Sequence, residues 1–412
     1  MKKRKRQKKA KKPINFGHTI RNWQQRFKFF DGWLFLGIVI VMMFGCAMVY
    51  TASTNMATGS ALNFFIKQAV FGVIAVIALI TIYLFPINWE SEQYRFFVNA
   101  LTILLIFVLF ITLMFGPVTS GAKGWLYFMG FGFQPVEYFK IALILYLSWR
   151  FSKTVRNYKA IPGGKTLRAK LWSVQNLTFP VAGMGLTALM PDLGGTVILG
   201  LIFLMISFTA GVGVGYLLTL VLLIIGTLLI MPILLPLLEQ YGFLQTYQLA
   251  RFEAYIDPWS VGDGAGHQLI NSYYALSNGG FFGRGLGNSI QKLGLLPEPN
   301  TDFILAIIGE ELGAIAVCAL LIFMGVITLR LMWYGINTRN LHYRLILFGI
   351  AAYIIIQIFI NLGGVTGLLP ITGVTFPLIS YGGSSLLSWG LTFGLAFNII
   401  GKLRQEAYER GE

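Results

Sequence analysis

The sequence predicts an all-α, polytopic integral membrane protein with ten transmembrane helices. Three observations predict it. Hydrophobic residues make up 56% of the 412 residues and charged residues only 12%, with a mean hydropathy of +0.70, more apolar surface than a water-soluble chain can cover. Apolar runs recur at the length of a membrane span, about 20 residues. Lysine and arginine concentrate in alternate connections, as cytoplasmic loops require.

The chain opens on a basic tail, residues 1–30, with 12 of its 32 basic residues before Asp31 and no acid among them. The net charge of +16 therefore reads as a cytoplasmic segment lying on anionic lipid, with no nucleic-acid partner. The first apolar run, from Trp33 to about Thr51, reaches full spanning length and is no ordinary cleaved signal peptide. Helix centres follow near 42, 76, 106, 141, 182, 202, 225, 317, 355 and 392. Residues 150–170 hold seven basic residues and no acid. Arg330, Arg339 and Arg344 flank the eighth-to-ninth connection, and Lys402, Arg404 and Arg410 follow the last helix. With ten spans all of these lie on the side of the basic tail, so both termini are expected in the cytoplasm, with a membrane domain over 31–401 and a short tail over 402–412. The opposite face carries one connection from Gly116 to about Phe133 and a long one over about 238–302. Loops of that length inside compact proteins tend to be functional, and short helices lining a groove are expected in it.

Several strings are decoys. GRGLGN, 283–288, has neither the preceding strand nor the spacing of a dinucleotide loop. Ser120 and Lys123 form S-x-x-K without its companion motifs. His18, His267 and His342 are scattered, and Cys46 and Cys318 lie inside expected spans, so neither set suggests a metal site.

The informative polar residues gather on the face opposite the tail. GAKGWLYF places Lys123 beside Trp125, and QPVEYFK places Glu137 and Lys140 on one face of the fourth helix. PDLGGT sets Asp192 at a membrane edge, where a helix N-cap also accounts for it. YQLARF supplies Gln248 and Arg251. LPEPNTDFILAIIGEELG carries Glu298, Asp302, Glu310 and Glu311, and a Gly/Pro-broken stretch over 361–385 carries Ser380. Carboxylates at membrane depth pair, line wet cavities or do chemistry. Glu310 and Glu311 point about 100° apart on a helix and cannot face one site together. By spacing alone Asp302 is equally well an N-cap for the eighth helix.

Taken together, GAKGWL, QPVEYFK, PDLGGT, YQLARF, SNGGFFGRGLG, LPEPNTDFILAIIGEELG and LLPITGVTFPLISYGGSS resemble the shape, elongation, division and sporulation (SEDS) family, the FtsW and RodA proteins of bacteria. The strings come in family order and span nearly the whole chain after the tail. KLGLLPEPNTDF and the run from YQLARF to DPW are closer to the FtsW branch than to RodA.

That resemblance implies ten helices, cytoplasmic termini, and polymerisation of lipid II into glycan strands beside a class B penicillin-binding protein and other division membrane proteins. It implies that Asp302 is the essential acid. Lys123, Trp125, Lys140, Gln248, Arg251, Glu298, Glu310 and Ser380 are the expected substrate contacts. A divalent cation, magnesium or manganese, held partly by Asp302 is a further expectation, with no organic cofactor. Lys123 stands where arginine is common in the family, and Val136 where serine is usual. RodA-type elongation, lipid II flipping and a purely scaffolding role are the alternatives. A flippase would show polar groups through both leaflets and repeat symmetry, and neither is visible in the sequence.

Overall fold

The computed structural model describes residues 25–56, 59–118, 122–128, 131–159, 167–215, 246–261 and 264–411, with isolated helical positions at 218, 222, 226 and 230. Its helices are α1 (Gly32–Ala52), α2 (Ala61–Leu84), α3 (Glu92–Phe115), α4 (Pro135–Lys159), α5 (Leu167–Leu171), α6 (Val174–Leu189), α7 (Leu193–Thr209), α8 (Thr246–Ile256), α9 (Ala265–Gly279), α10 (Ile304–Asn337), α11 (Leu341–Thr366) and α12 (Gly383–Glu409). Among the described residues α1, α2, α3, α10, α11 and α12 are long and apolar enough to cross a membrane, and the protein is a multi-pass membrane protein. The expected centres near 42, 76, 106, 141, 182, 202, 317, 355 and 392 each fall inside one of these helices. The span expected near 225 and the start of the long loop lie mostly outside the described residues.

Among the described residues the structure departs from an all-α fold at one point. The connection after α3 contains a two-stranded antiparallel hairpin, β1 (Leu126–Phe128) and β2 (Phe131–Phe133), with Leu126 opposite Phe133 and Phe128 opposite Phe131. Closely spaced aromatic residues favour extended backbone on a packed surface, and Phe133 stacks on Tyr138 of α4 at 4.7 Å.

Two contacts set the frame. The Asp31 side chain caps α1 by accepting from the Leu34 amide at 3.2 Å. It also accepts both arms of Arg330 on α10, at 2.7 and 2.9 Å, and the Tyr334 hydroxyl at 2.8 Å. Burial alone would raise its pKa, but these donors hold the carboxyl below its ordinary value. On the other side α12 lays a seam of small residues against α2. A Cβ on Gly390 would lie 2.4 Å from the Ala75 carbonyl oxygen, and one on Gly394 would lie 2.9 Å from Ile82. Such seams let helix backbones approach closely where the solvent itself is apolar.

α10 is broken at Gly313, whose φ of +83° and ψ of 172° leave the helical region. The freed backbone is taken up by the glycine-rich loop after α9. Ala314 N donates to Gly280 O at 2.9 Å, and the Arg284 and Gly285 amides donate to the carbonyls of Glu310 and Glu311, both at 2.9 Å. The Glu310 carboxylate accepts from the Ser289 hydroxyl and from the Ile290 and Gln291 amides. Glu311 pairs with Lys292 at 2.7 Å, both side chains buried.

Removing one partner of a buried ion pair costs about 3–5 kcal/mol, whereas replacing both with apolar residues is often neutral. Lys292→Met is therefore expected to lower the unfolding temperature of the solubilised protein clearly, and Lys292→Met with Glu311→Met to restore most of it. Equal damage from the single and double variants in a thermal unfolding scan would show that the pair does not hold the loop.

Candidate functional site

The site is built where the broken segments meet. Proline opens α4, as suits the first helical position, and presents Glu137 and Lys140 one turn apart. Lys140 Nζ donates to Glu137 at 2.5 Å, the Tyr353 hydroxyl donates to the other carboxylate oxygen at 2.9 Å, and all three side chains are buried. Asp192 caps α7, accepting from the Gly195 amide at 2.7 Å.

The turn ahead of α10 places Asp302. Its corner is Glu298, at φ +52°, a conformation that non-glycine residues seldom adopt. Three polar side chains or backbone groups from elsewhere clamp this turn. Asn361 Nδ2 donates to Asp302 O and to Val374 O, both at 2.8 Å. The Ser380 hydroxyl donates to Thr301 O at 2.6 Å, and Tyr381 N donates to Asn300 O at 2.8 Å. Gln68 on α2 donates to the carbonyls of Ile379 and Ser380 and accepts from the Gly382 amide.

These elements enclose a cavity of about 510 Å³. α2 contributes Lys67 and Phe71, and the hairpin region contributes Trp125, Tyr127 and Gly132. α4 contributes Glu137 and Lys140, and α7 contributes Asp192 at its cap. Arg251 comes from α8, Glu298 and Asp302 from the turn, and Thr372 to Thr375 with Tyr381 from the stretch after α11. Among the described residues the lining holds three cations, Lys67, Lys140 and Arg251, against four carboxylates, Glu137, Asp192, Glu298 and Asp302. Crowding of that kind favours neutral acids. Burial, then the nearby Glu298 charge, push Asp302 up to about 6, and Arg251 opposes them. Burial likewise raises Asp192 above its ordinary value.

Asp302 is not the N-cap of α10. The N-cap of α10 is Phe303, with no side-chain capping bond, and the Asp302 carboxylate lines the cavity. Gly373, at φ +74°, keeps the space beside it clear. A Cβ there would lie 3.4 Å from Asp302 Oδ2 and 3.8 Å from an Arg251 guanidinium nitrogen.

Of the residues singled out in the sequence, the cavity brings together Asp302, Trp125, Lys140, Arg251 and Glu298. Three others are placed elsewhere. Lys123 is outside the lining, its amide on Met190 O at 3.2 Å and its ammonium 3.5 Å from Leu113 O. Glu310 is fully buried and spent on residues 289–291. Ser380 is buried and clamps the turn backbone from behind. Gln248 lies on α8, with its side chain outside the described residues. Lys67 was not anticipated, although it is the single charged residue of α2 and a lone charge in a span is a functional signal. No group of three His, Cys, Asp or Glu side chains suited to a metal ion occurs among the described residues.

The family model for cell cycle proteins of the FtsW, RodA and SpoVE type matches residues 32–405. The chain is 37% identical over 377 residues to the probable peptidoglycan glycosyltransferase FtsW of Bacillus subtilis (strain 168), covering 90% of this chain and 91% of that one. It is 33% identical over 372 residues to the stage V sporulation protein E of the same organism, covering 88% and 94%. Among solved structures, one chain of a peptidoglycan synthase complex described as coordinating polymerization and crosslinking superposes with a TM-score of 0.66 at 24% identity, covering 90% and 97%. The rod shape determining protein RodA of Thermus thermophilus superposes with a TM-score of 0.62 at 22% identity, covering 90% and 96%. These two likenesses show a shared fold.

Gly373→Ala forces an unfavourable φ and places a methyl group beside Asp302 and Arg251. Because misplacement near 1 Å at a reacting centre costs about 100-fold, turnover at this cavity is expected to fall by about 10- to 100-fold with helical content unchanged. Turnover equal to the parent's would show that the gap beside Asp302 is not needed.

Proposed function

The chain belongs to the cell cycle protein family of FtsW, RodA and SpoVE, and from that premise we propose that it is a peptidoglycan glycosyltransferase polymerising lipid II for the septal wall. The observation that carries this reading is the Asp302 carboxylate, uncapped and of raised pKa, on the wall of a cavity that also holds Arg251.

The chemistry suits one carboxylate. Joining an α-linked diphosphate donor into a β-1,4 linkage takes a single inverting displacement. Asp302 accepts the proton of the acceptor 4-hydroxyl as oxygen attacks the donor C1, and the lipid diphosphate leaves with the electrons of the broken bond. A carboxylate near pKa 6 is a stronger base than an ordinary aspartate and is still ionised at neutral pH. Arg251, with Lys67 on the cavity wall, opposes the charge of the departing diphosphate. Lys140 is committed to Glu137 and acts through the shape of the wall. Trp125 offers an aromatic face to a sugar ring or the lipid.

Magnesium or manganese fits the donor set in the manner usual for phosphate substrates, one or two carboxylates with the diphosphate supplying further oxygens. Glu298 would hold it, with Asp302 a ligand only in a state where it is not serving as the base, and its contribution would be neutralisation of the diphosphate.

The ten-helix count, both termini in the cytoplasm, the long external loop over about 238–302 and the basic tail over 1–30 belong to the same reading, supported by the distribution of lysine and arginine. A class B penicillin-binding protein supplying the transpeptidase is the partner in this reading, and other division proteins join it at the septum. The first reported relatives carry the FtsW name, which favours septal synthesis over elongation. Depletion of the protein is expected to give cells with failed septa. Rounding without a septal defect would move the assignment to RodA-type elongation.

A base must be deprotonated to act, so polymer formation is expected to rise with pH through about 6 and to be lost below it. Asp302→Asn is expected to abolish polymerisation of lipid II by the purified protein with its transpeptidase partner. The folded state holds Asp302 at a raised pKa, so the ionised form costs stability above pH 6, and the variant should unfold no lower than the parent at neutral pH. Polymer from Asp302→Asn would remove the residue from catalysis. No polymer from either protein, in an intact complex, would favour transport or scaffolding.

A further inference from the structure

The glycine-rich loop after α9 has a composition the proposed chemistry does not use. Phe281 and Phe282 are 73% and 84% exposed, and Leu286 and Ile315 beside them are also exposed. Solvated loops do not usually present such a patch.

Its depth follows from two rulers. Arg330 pairs with Asp31 at the start of α1, beside an exposed Trp33, which marks one membrane boundary. Gly313 lies 17 residues away along α10, about 26 Å at 1.5 Å per residue, inside a hydrocarbon layer of about 30 Å. α1 runs antiparallel to α10, with Gly37 facing Ile327 and Phe323. The same distance along α1 from Asp31 reaches Met48, still within that helix. The loop is bonded to residues 310–315 and therefore sits at this depth.

Irregular backbone survives there only if its polar groups are satisfied by protein. This loop turns them inward. Gly280 O and Phe281 O accept from the amides of Ala314 and Ile315, freed by the break at Gly313, and the Arg284 and Gly285 amides donate to the carbonyls of Glu310 and Glu311. The Glu310 carboxylate caps the amides of Ile290 and Gln291. The outward surface carries Phe281, Phe282 and Leu286 beside exposed Arg284 and Asn288, the latter donating to Arg284 O, and it neighbours exposed Ile315 and Ile322 on α10. Arg284 is the one charge over 279–291 and is exposed, and an arginine stem is long enough to carry its charge several ångströms from the backbone toward a headgroup layer.

We propose that residues 279–290 are a re-entrant loop seated in the leaflet opposite the Arg330 end, with Phe281 and Phe282 against acyl chains. The Lys292–Glu311 pair then ties the segment leading to Asp302 to that depth, which sets the catalytic turn level with the headgroups of a lipid-linked substrate. The location rests on the membrane topology and not on the chemistry assigned to Asp302, so either can fail without the other.

The test is fluorescence in nanodiscs. With Cys46 and Cys318 replaced by alanine, Phe282→Cys and, separately, Phe281→Cys are labelled with an environment-sensitive dye. Native Cys318, exposed on α10, gives a lipid reference, and Glu409→Cys, on the exposed end of α12, gives an aqueous one. The expected result is quenching by acyl-chain nitroxides equal to that at Cys318, with iodide quenching several-fold below that at Glu409→Cys. Iodide quenching at positions 281 and 282 equal to the aqueous reference would overturn the proposal. So would iodide quenching that disappears only when the transpeptidase partner is bound, since the patch would then be a protein-docking surface.

Discussion

The structure depends on one constraint. Backbone that leaves helical form at membrane depth must find its hydrogen-bond partners inside the protein. The stretch after α11 and the turn before α10 are both irregular, and buried amide side chains serve them from neighbouring helices. Gln68 reaches from α2 to the carbonyls of Ile379 and Ser380. Gln357 reaches Thr375 O, and Asn361 joins Asp302 O to Val374 O. Without such donors the unsatisfied groups would each cost several kcal/mol, and these irregular segments would not persist at membrane depth.

That arrangement also explains the acid. A carboxylate at the tip of a helix usually accepts its first free amides and becomes a weaker base. Here the turn is held through its main chain by Asn361, Ser380 and Tyr381, and α10 starts without a side-chain cap. The Asp302 side chain is left facing the cavity, where burial and Glu298 raise its pKa and Arg251 limits the rise. Gly373 preserves the gap between acid and guanidinium. The raised pKa of this carboxylate is thus a consequence of where the structural hydrogen bonds are spent.

How much of the site was legible differs from residue to residue. Asp302, Arg251 and Trp125 stood out because charged or amphipathic groups at a membrane edge are uncommon, and each lines the cavity. Glu310 and Ser380 carried the same signal but are spent on backbone, since costly polar groups mark structural capping as well as chemistry. Lys67 escaped notice inside an otherwise uniform apolar run, and its place on the wall depends on the rotation of α2 that Gln68 fixes. The hairpin in the first long connection is short enough that its aromatics read equally well as membrane-interface anchors.

The sequence by itself determined the class of protein, the positions of the apolar helices among the described residues, and the family. Those depend on composition, on runs of about 20 residues and on local strings, all of which survive without knowing which helix touches which. Only the tertiary structure decided that Asp302 is no cap, that Glu310 and Glu311 hold a loop against a broken helix, and that α2, α4, α7 and α8 share one cavity. The physical reason is that a buried polar group is defined by its partner. Partners such as Gln68 and Ser380 lie 312 positions apart in the chain and meet only when the helices pack.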